Sequence, residues 1–269
     1  RTLTDVLCEE LNVQPEDILD RDLQLVTRQQ PTRIGPDGEY FLAPRIDDLE
    51  CAATTLLAFL DAAPDCDSAC APVWAMFDNE EVGSSSRMGA ESSYLRDVLD
   101  RIIDSIPHSA QAKQQAMANS YMLSADNAHA THPNFPQKAD PCAPVHMGEG
   151  VVLKYNASQK YTTNAVSGAI FKEICRKAGV PVQVFTNRAD EPGGSTLGNL
   201  QSHTLPIPMP IVPDFAIGIA HISIQVLEDG TPTTCGAYTA CKRRASSQDN
   251  RSCIASRYFT PIILSKNRS

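Results

Sequence analysis

The sequence predicts an α/β fold. Three observations carry that expectation. From Glu39 onward short apolar runs alternate with amphipathic segments, three of those runs end in carboxylates, and one segment near residue 170 has clear helical periodicity closed by glycine and proline. A chain of 269 residues with 42% hydrophobic content suffices for one large domain or two small ones around a packed core.

Residues 2–11 (TLTDVLCEEL) place Leu3, Val6, Leu7 and Leu11 at helical spacing before Pro15 and an acidic turn interrupt. This piece is too short to bury its face alone. Tyr40 to Leu42 reads as a strand, and Leu49 to Ala63 as a helix with Leu56, Leu57 and Leu60 on its buried side. Val73 to Phe77 (VWAMF) is a continuous apolar run of the kind found in central strands buried on both faces. A helix opening near Ser84 to Ser86 carries Leu95, Val98, Leu99, Ile102 and Ile103 at helical spacing. Further strands are expected at Tyr121 to Leu123, Val151 to Tyr155 and Val182 to Phe185. Thr163 to Ala178 is the clearest helix: Val166, Ile170 and Ile174 recur every fourth residue, and Gly179 and Pro181 end it. Residues 231–269 hold little apolar periodicity, many Ser, Thr and Arg residues and three of the nine cysteines, so they are expected to pack poorly. There is no internal repeat.

Charge and composition exclude some function classes. The net charge is −9, from 32 acidic and 23 basic residues with no dense Lys/Arg block, which argues against nucleic acid as a partner. No apolar stretch approaches the roughly 20 residues of a membrane helix, and residues 1–20 carry charges where a secretory signal carries an apolar core. The expectation is a cytoplasmic protein with no membrane contact. The cysteines are odd in number and scattered, in a chain too large to depend on a disulfide framework, and most read as buried or incidental thiols. Cys66 and Cys70 lie four apart, but no second Cys/His pair at zinc-finger spacing follows, so this stretch reads as a loop.

The carboxylates at the strand ends are the main chemical signal. Tyr40-Phe41-Leu42 leads to Asp47-Asp48, Val73 to Phe77 leads to Asp78 and Glu80-Glu81, and Tyr121-Met122-Leu123 leads to Asp126. In open α/β sheets the functional crevice lies beyond the carboxyl ends of the strands, so these side chains can converge. Converging carboxylates repel unless a cation neutralises them, and a metal site, with two metals more economical than one, follows. Taken singly, Asp47 or Asp126 reads more readily as a polar loop residue accepting turn hydrogen bonds. Glu80-Glu81 is less easily read so, because two adjacent glutamates before Val82-Gly83 and a serine run place charge where packing asks for none.

Several blocks of the chain, in order, resemble the aspartyl aminopeptidase family. They are PRIDDL at 44–49, DNEEVGSS at 78–85, SADNAHA at 124–130 with HPN at 132–134, KYNA at 154–157, YTTNA at 161–165 and PGGSTLG at 192–198. Collinear blocks at family-like spacing, covering roughly residues 15–228, are far stronger than one motif. The resemblance implies a mixed β-sheet sandwiched between helices, zinc exopeptidase-like, carrying two Zn²⁺ ions, with a separate inserted domain that makes homo-oligomers. It further implies that Asp47 bridges both metals, that Glu81 and Asp126 each bind one, and that Glu80 is the general base. Two metals about 3.5 to 4 Å apart lower the pKa of a shared water and polarise the scissile carbonyl of a peptide substrate. His129, Lys154, Asp190, Gly193 and Gly194 match positions near the substrate, Lys154 offering a cation to an acidic side chain.

The resemblance also implies two histidine ligands. One belongs to a block that has no counterpart in this chain. At the other, a gapless match puts Gln225 in the ligand position, with His221 four residues early as the candidate imidazole. The expected organisation is therefore residues 1–30 as the end of the inserted oligomerisation domain, 31–228 as the catalytic domain and 229–269 as a divergent, poorly ordered tail. A metal-dependent exopeptidase is the leading reading, and a catalytically silent relative acting as a binding or assembly subunit is the alternative.

Overall fold

The computed structural model of the chain describes residues 1–62, 70–191 and 193–207, with the backbone of five further strands at 210–211, 213–214, 220–222, 238–242 and 262–265. Helix α1 (Leu3–Leu11) opens on a capping box: the Thr2 hydroxyl accepts from the Asp5 amide while the Asp5 carboxylate accepts from the Thr2 amide. None of its residues is buried, in keeping with its length.

An antiparallel pair, β1 (Thr32–Ile34) and β2 (Tyr40–Pro44), leads into α2 (Ile46–Ala62). Then come β3 (Cys70–Val73), α3 (Glu80–Gly83), α4 (Tyr94–Asp104), α5 (Ala110–Ala118), β4 (Met122–Leu123), β5 (Val151–Tyr155), α6 (Ala165–Ala178), β6 (Val182–Thr186) and α7 (Leu197–Ser202). The remaining strands are β7 (Pro210–Ile211), β8 (Pro213–Asp214), β9 (Ala220–Ile222), β10 (Tyr238–Lys242) and β11 (Ile262–Ser265). Parallel pairs (β5–β6, β4–β7) coexist with antiparallel ones, as the mixed α/β expectation requires. The described strands fall into four small sheets, ordered β1-β2-β10-β9, β11-β3, β4-β7 and β6-β5-β8.

The core is organised around β5. Its pleat sends Val151 and Leu153 to one face, against Cys51 and Ala58 of α2 and Phe171 and Cys175 of α6, and Val152 to the other, against Ala128 and Val145. Helix α6 is the crossover between parallel β5 and β6, a βαβ unit. A second core joins Leu95 and Leu99 of α4 to Met117, Met122, Leu205 and Ile207.

The structure corrects several expected details. On α2 the buried side is Cys51 and Ala58, while Leu57 and Leu60 are each 59% exposed. Leu153 and Phe171 already fill the space beneath α2, so the helix presents small residues there. On α6 the buried row is Ser167, Gly168, Phe171 and Cys175, while Val166 and Ile170 face out. Gly168 sets this rotation, because a Cβ there would stand 2.1 Å from the Tyr155 hydroxyl. The helix expected near residue 84 begins ten residues later. Residues 84–93 fold into turns in which the Glu91 amide donates to the Ser84 carbonyl and Gly89 lies so close that a Cβ would meet that oxygen at 2.2 Å.

Strand β3 covers 70–73, so the apolar run continues past the ladder. There Val73, Ala75 and Phe77 pack on the second core and Met76 faces out, a one-sided pattern in place of burial on both faces. Helices α3, α5 and α7 were not expected, since none has an apolar repeat long enough to announce it. Most of residues 229–269 lies outside the described residues. Within that stretch β10 pairs with β2 and β9, and β11 pairs with β3. Among the described residues no helix is long and apolar enough to cross a membrane.

Candidate metal centre

The site is built at the ends of three segments. Strand β2 passes through Arg45, at φ 61, into a kinked entry to α2 where Asp47 and Asp48 have non-helical backbone angles and a cis peptide bond joins them. Strand β4 gives way through Ser124 to Asp126. The run after β3 reaches Asn79, at φ 60, and then Glu80 and Glu81 in the first turn of α3. Carboxylate oxygens of Asp47, Asp48 and Asp126 lie within 4.8 Å of one another. Asp47 and Asp48 of α2 and both glutamates of α3 line one cavity of about 890 Å³, with Ser124, Leu197 and Gly198 on its wall.

These groups crowd each other electrostatically. Burial, then the charges of Asp126, Glu81 and Glu80, push the Asp47 carboxyl up to about 7, against a smaller opposing pull from Lys154. Burial, then the charges of Asp126, Asp47 and Glu80, push Asp48 up to about 8 against an opposing hydrogen bond from Cys51, and burial with Asp126 and Glu81 pushes Glu80 up to about 7. One oxygen of Asp48 is buried with no hydrogen-bond partner.

A scaffold of polar side chains holds the carboxylates. Asn127 ties the Asp126 loop to α2: its Oδ1 accepts from the Cys51 thiol at 3.1 Å, and its Nδ2 donates to Glu50 at 3.4 Å. Its carbonyl accepts from Lys154 Nζ at 3.2 Å. Lys154, next to last in β5, lies on the face of Val152, 6% exposed, with its ammonium 5.2 Å from the centre of the Tyr161 ring. Burial lowers its pKa, while Asp126 and Asp47 oppose that shift.

A family model described as Aminopeptidase I zinc metalloprotease (M18) matches residues 1–224. The chain belongs to the M18 family. The probable M18 family aminopeptidase 2 of Clostridium acetobutylicum is 38% identical over 230 residues, covering 86% of this chain and 48% of its own length. A probable aspartyl aminopeptidase of Ricinus communis is 36% identical over 200 residues, covering 73% of this chain and 41% of its own. Among solved structures, the mApe1 dodecamer of S. cerevisiae superposes with a TM-score of 0.67 at 24% identity, over 89% of this chain and 50% of that one. The chain thus spans about half the length of the curated relatives it matches.

The M18 description calls for zinc, and the residues present fit it. Three carboxylates converge within reach of one cation, one of their oxygens is buried without a partner, and carboxylate oxygen is an accepted zinc donor. Asp47 and Asp126, expected as ligands, stand in this set. Glu81 lines the same cavity and acts on Asp47 electrostatically, but the third carboxylate within 4.8 Å is that of Asp48. Sequence reasoning placed Asp48 at the strand end without giving it a role. The doubled aspartate of PRIDDL is the signal that could have done so. The alternative of a silent assembly subunit finds no support in this arrangement or in the relatives.

The other expected positions divide. His129 is exposed, three residues beyond Asp126. Asp190 is exposed and paired with Arg188, which holds its carboxyl below the usual carboxylate range. At Gly193 a Cβ would meet Asn156 Nδ2 at 2.7 Å, so the close approach needs glycine, and its carbonyl accepts from Lys160 at 2.7 Å. A Cβ at Gly194 would meet nothing within 4 Å. The backbone of His221 lies on β9 opposite Thr239, and its side chain lies outside the described residues, as does Gln225.

Proposed function

We propose that this chain carries the catalytic site of a zinc aminopeptidase that hydrolyses the first residue, an acidic one, from peptides. The observation that supports this most is the convergence of Asp47, Asp48 and Asp126, beside a cavity that Asp47, Asp48, Glu80 and Glu81 line, on a chain of the M18 family. Asp47, Asp126 and Glu81 would hold two zinc ions between them, with Asp47 shared and Asp48 beside it. Bound there, zinc supplies Lewis-acid polarisation of the scissile carbonyl and lowers the pKa of a water.

The rest of the chemistry falls to side chains. Glu80 takes the proton of the attacking water on its carboxylate and returns it to the leaving amine. Its proton affinity, raised towards neutrality by burial and like charges, suits both halves of that exchange. The negative wall of the cavity attracts the free α-amine of a substrate, which restricts cleavage to the first residue. Lys154 is the buried cation behind it and selects for an acidic side chain, with His129, Gly193, Gly194 and Asp190 bordering the substrate.

The division at residues 30 and 228, a homo-oligomeric assembly and a cytoplasmic setting complete the reading. The exposed leucines of α2 support the assembly. Metal analysis of the purified chain, with hydrolysis of aspartyl and leucyl p-nitroanilides before and after chelation, tests it. We expect zinc that is lost in Asp126→Asn and chelator-sensitive turnover favouring the aspartyl compound. Metal content unchanged by Asp126→Asn, or turnover indifferent to chelator, would overturn it.

A further inference from the structure

At the entrance to α7 two hydrogen bonds run between elements where one would ordinarily run within the helix. Thr196 occupies the N-cap position in extended conformation, with φ −142 and ψ 172, yet its hydroxyl does not cap the helix. It donates instead to Oδ2 of Asp126 at 3.0 Å. The cap it leaves open is filled from the other side: the Gly198 amide donates to Oγ of Ser124, two residues before Asp126, at 2.9 Å. Each element satisfies the other's need. Thr196 is 1% exposed and Ser124 5%, so water does not readily replace either partner. The second oxygen of Asp126 accepts from the Asn127 amide at 2.6 Å. Both oxygens are thus held while each keeps a lone pair for a cation.

We propose that Thr196 is a positioning residue for the metal centre: it fixes the Asp126 carboxylate in a ligating orientation, in exchange for which Ser124 caps α7. The inference rests on the reading of Asp126 as a zinc ligand. A hydrogen-bond donor behind a ligating carboxylate sets its rotation, and removing such a partner typically weakens metal binding about 10- to 100-fold. A threonine that merely filled space would be replaced by valine without that loss.

The test uses the whole 269-residue chain and cobalt(II) as a spectroscopic stand-in for zinc. Visible-absorption titration should show Thr196→Val binding cobalt about 10- to 100-fold more weakly than the parent, with a shifted ligand-field spectrum, and Thr196→Ser restoring both. In chelator, the drop in Tm caused by Thr196→Val should disappear in the Asp126→Ala background. Parent-like affinity and spectrum for Thr196→Val, or full additivity in that cycle, overturns the inference and leaves the zinc reading standing. A parent that takes up no cobalt overturns the zinc reading and the inference with it. Should Thr196→Val not fold, Thr196→Ala against Thr196→Ser carries the comparison, and equal cobalt affinity of those two overturns the inference.

Discussion

Asp48 is held where an ionised carboxylate is least comfortable. Burial and three acidic neighbours, Asp126, Asp47 and Glu80, raise its proton affinity, and one oxygen has no partner. In the metal-free chain Asp48→Asn should therefore raise the Tm, since a neutral amide of nearly the same shape relieves the crowding. The same substitution should narrow the gain in Tm that added zinc produces. Scanning calorimetry in chelator and in zinc measures both, and a variant that melts below the parent in chelator would show that the charge is not the burden. Glu80 and Glu81 are adjacent, and the proposed mechanism gives them different duties. Glu80→Gln should keep its metal and lose about 10²- to 10⁴-fold in turnover, the span of general-base contributions. Glu81→Gln should lose metal as well. Metal analysis beside steady-state rates separates them, and parent-like activity in Glu80→Gln removes it from the base role.

Helix faces show what one sequence read alone can and cannot tell. The existence of α2, α4 and α6 follows from periodicity and end signals, and β2, β4, β5 and β6 from short apolar runs, because those cues are local. Which face turns inward is not local. In α6 the aliphatic row Val166–Ile170 was the natural choice, yet Gly168 and Ser167 let the helix approach β5 and Phe171 fills the gap. Phe171→Ala should cost about 3–5 kcal/mol and Val166→Ala no more than about 0.5 kcal/mol, measured by urea unfolding. Gly168→Ala should cost about 1–3 kcal/mol through overpacking against Tyr155. Equal losses at Phe171 and Val166 would restore the aliphatic face. The site divides in the same way. Asp47, Glu80, Glu81 and Asp126 were legible because each sits in a contiguous block at a strand end. The partners that orient them, Asn127 to Cys51 or Thr196 to Asp126, join residues 76 and 70 positions apart and leave no local trace.

At the scale of the molecule, several large apolar side chains among the described residues stand exposed. Leu57 and Leu60 of α2, Ile102 of α4 and Val166 of α6 all face outward, although apolar side chains in helices ordinarily turn to a core. The proposed homo-oligomer would cover some of these side chains. Replacing Leu57 and Leu60 together by lysine should lower the weight-average mass in sedimentation without lowering the Tm, because neither side chain belongs to the buried cluster around β5. A Tm that falls with unchanged mass would assign these leucines to the fold and not to assembly.

The exchange of hydrogen bonds between Ser124 and α7 also sets an order of events in folding. Ser124 and Gly198 are 74 residues apart, and Thr196 and Asp126 are 70, so both bonds wait for long loops to close. The βαβ unit around β5 is local by comparison and can form first. Until β4 meets α7, the helix lacks its cap and the carboxylate lacks its orientation. The amide proton of Gly198 then becomes a clock for the site: its exchange with solvent should slow only when the whole chain has closed, and not while the local helices are forming.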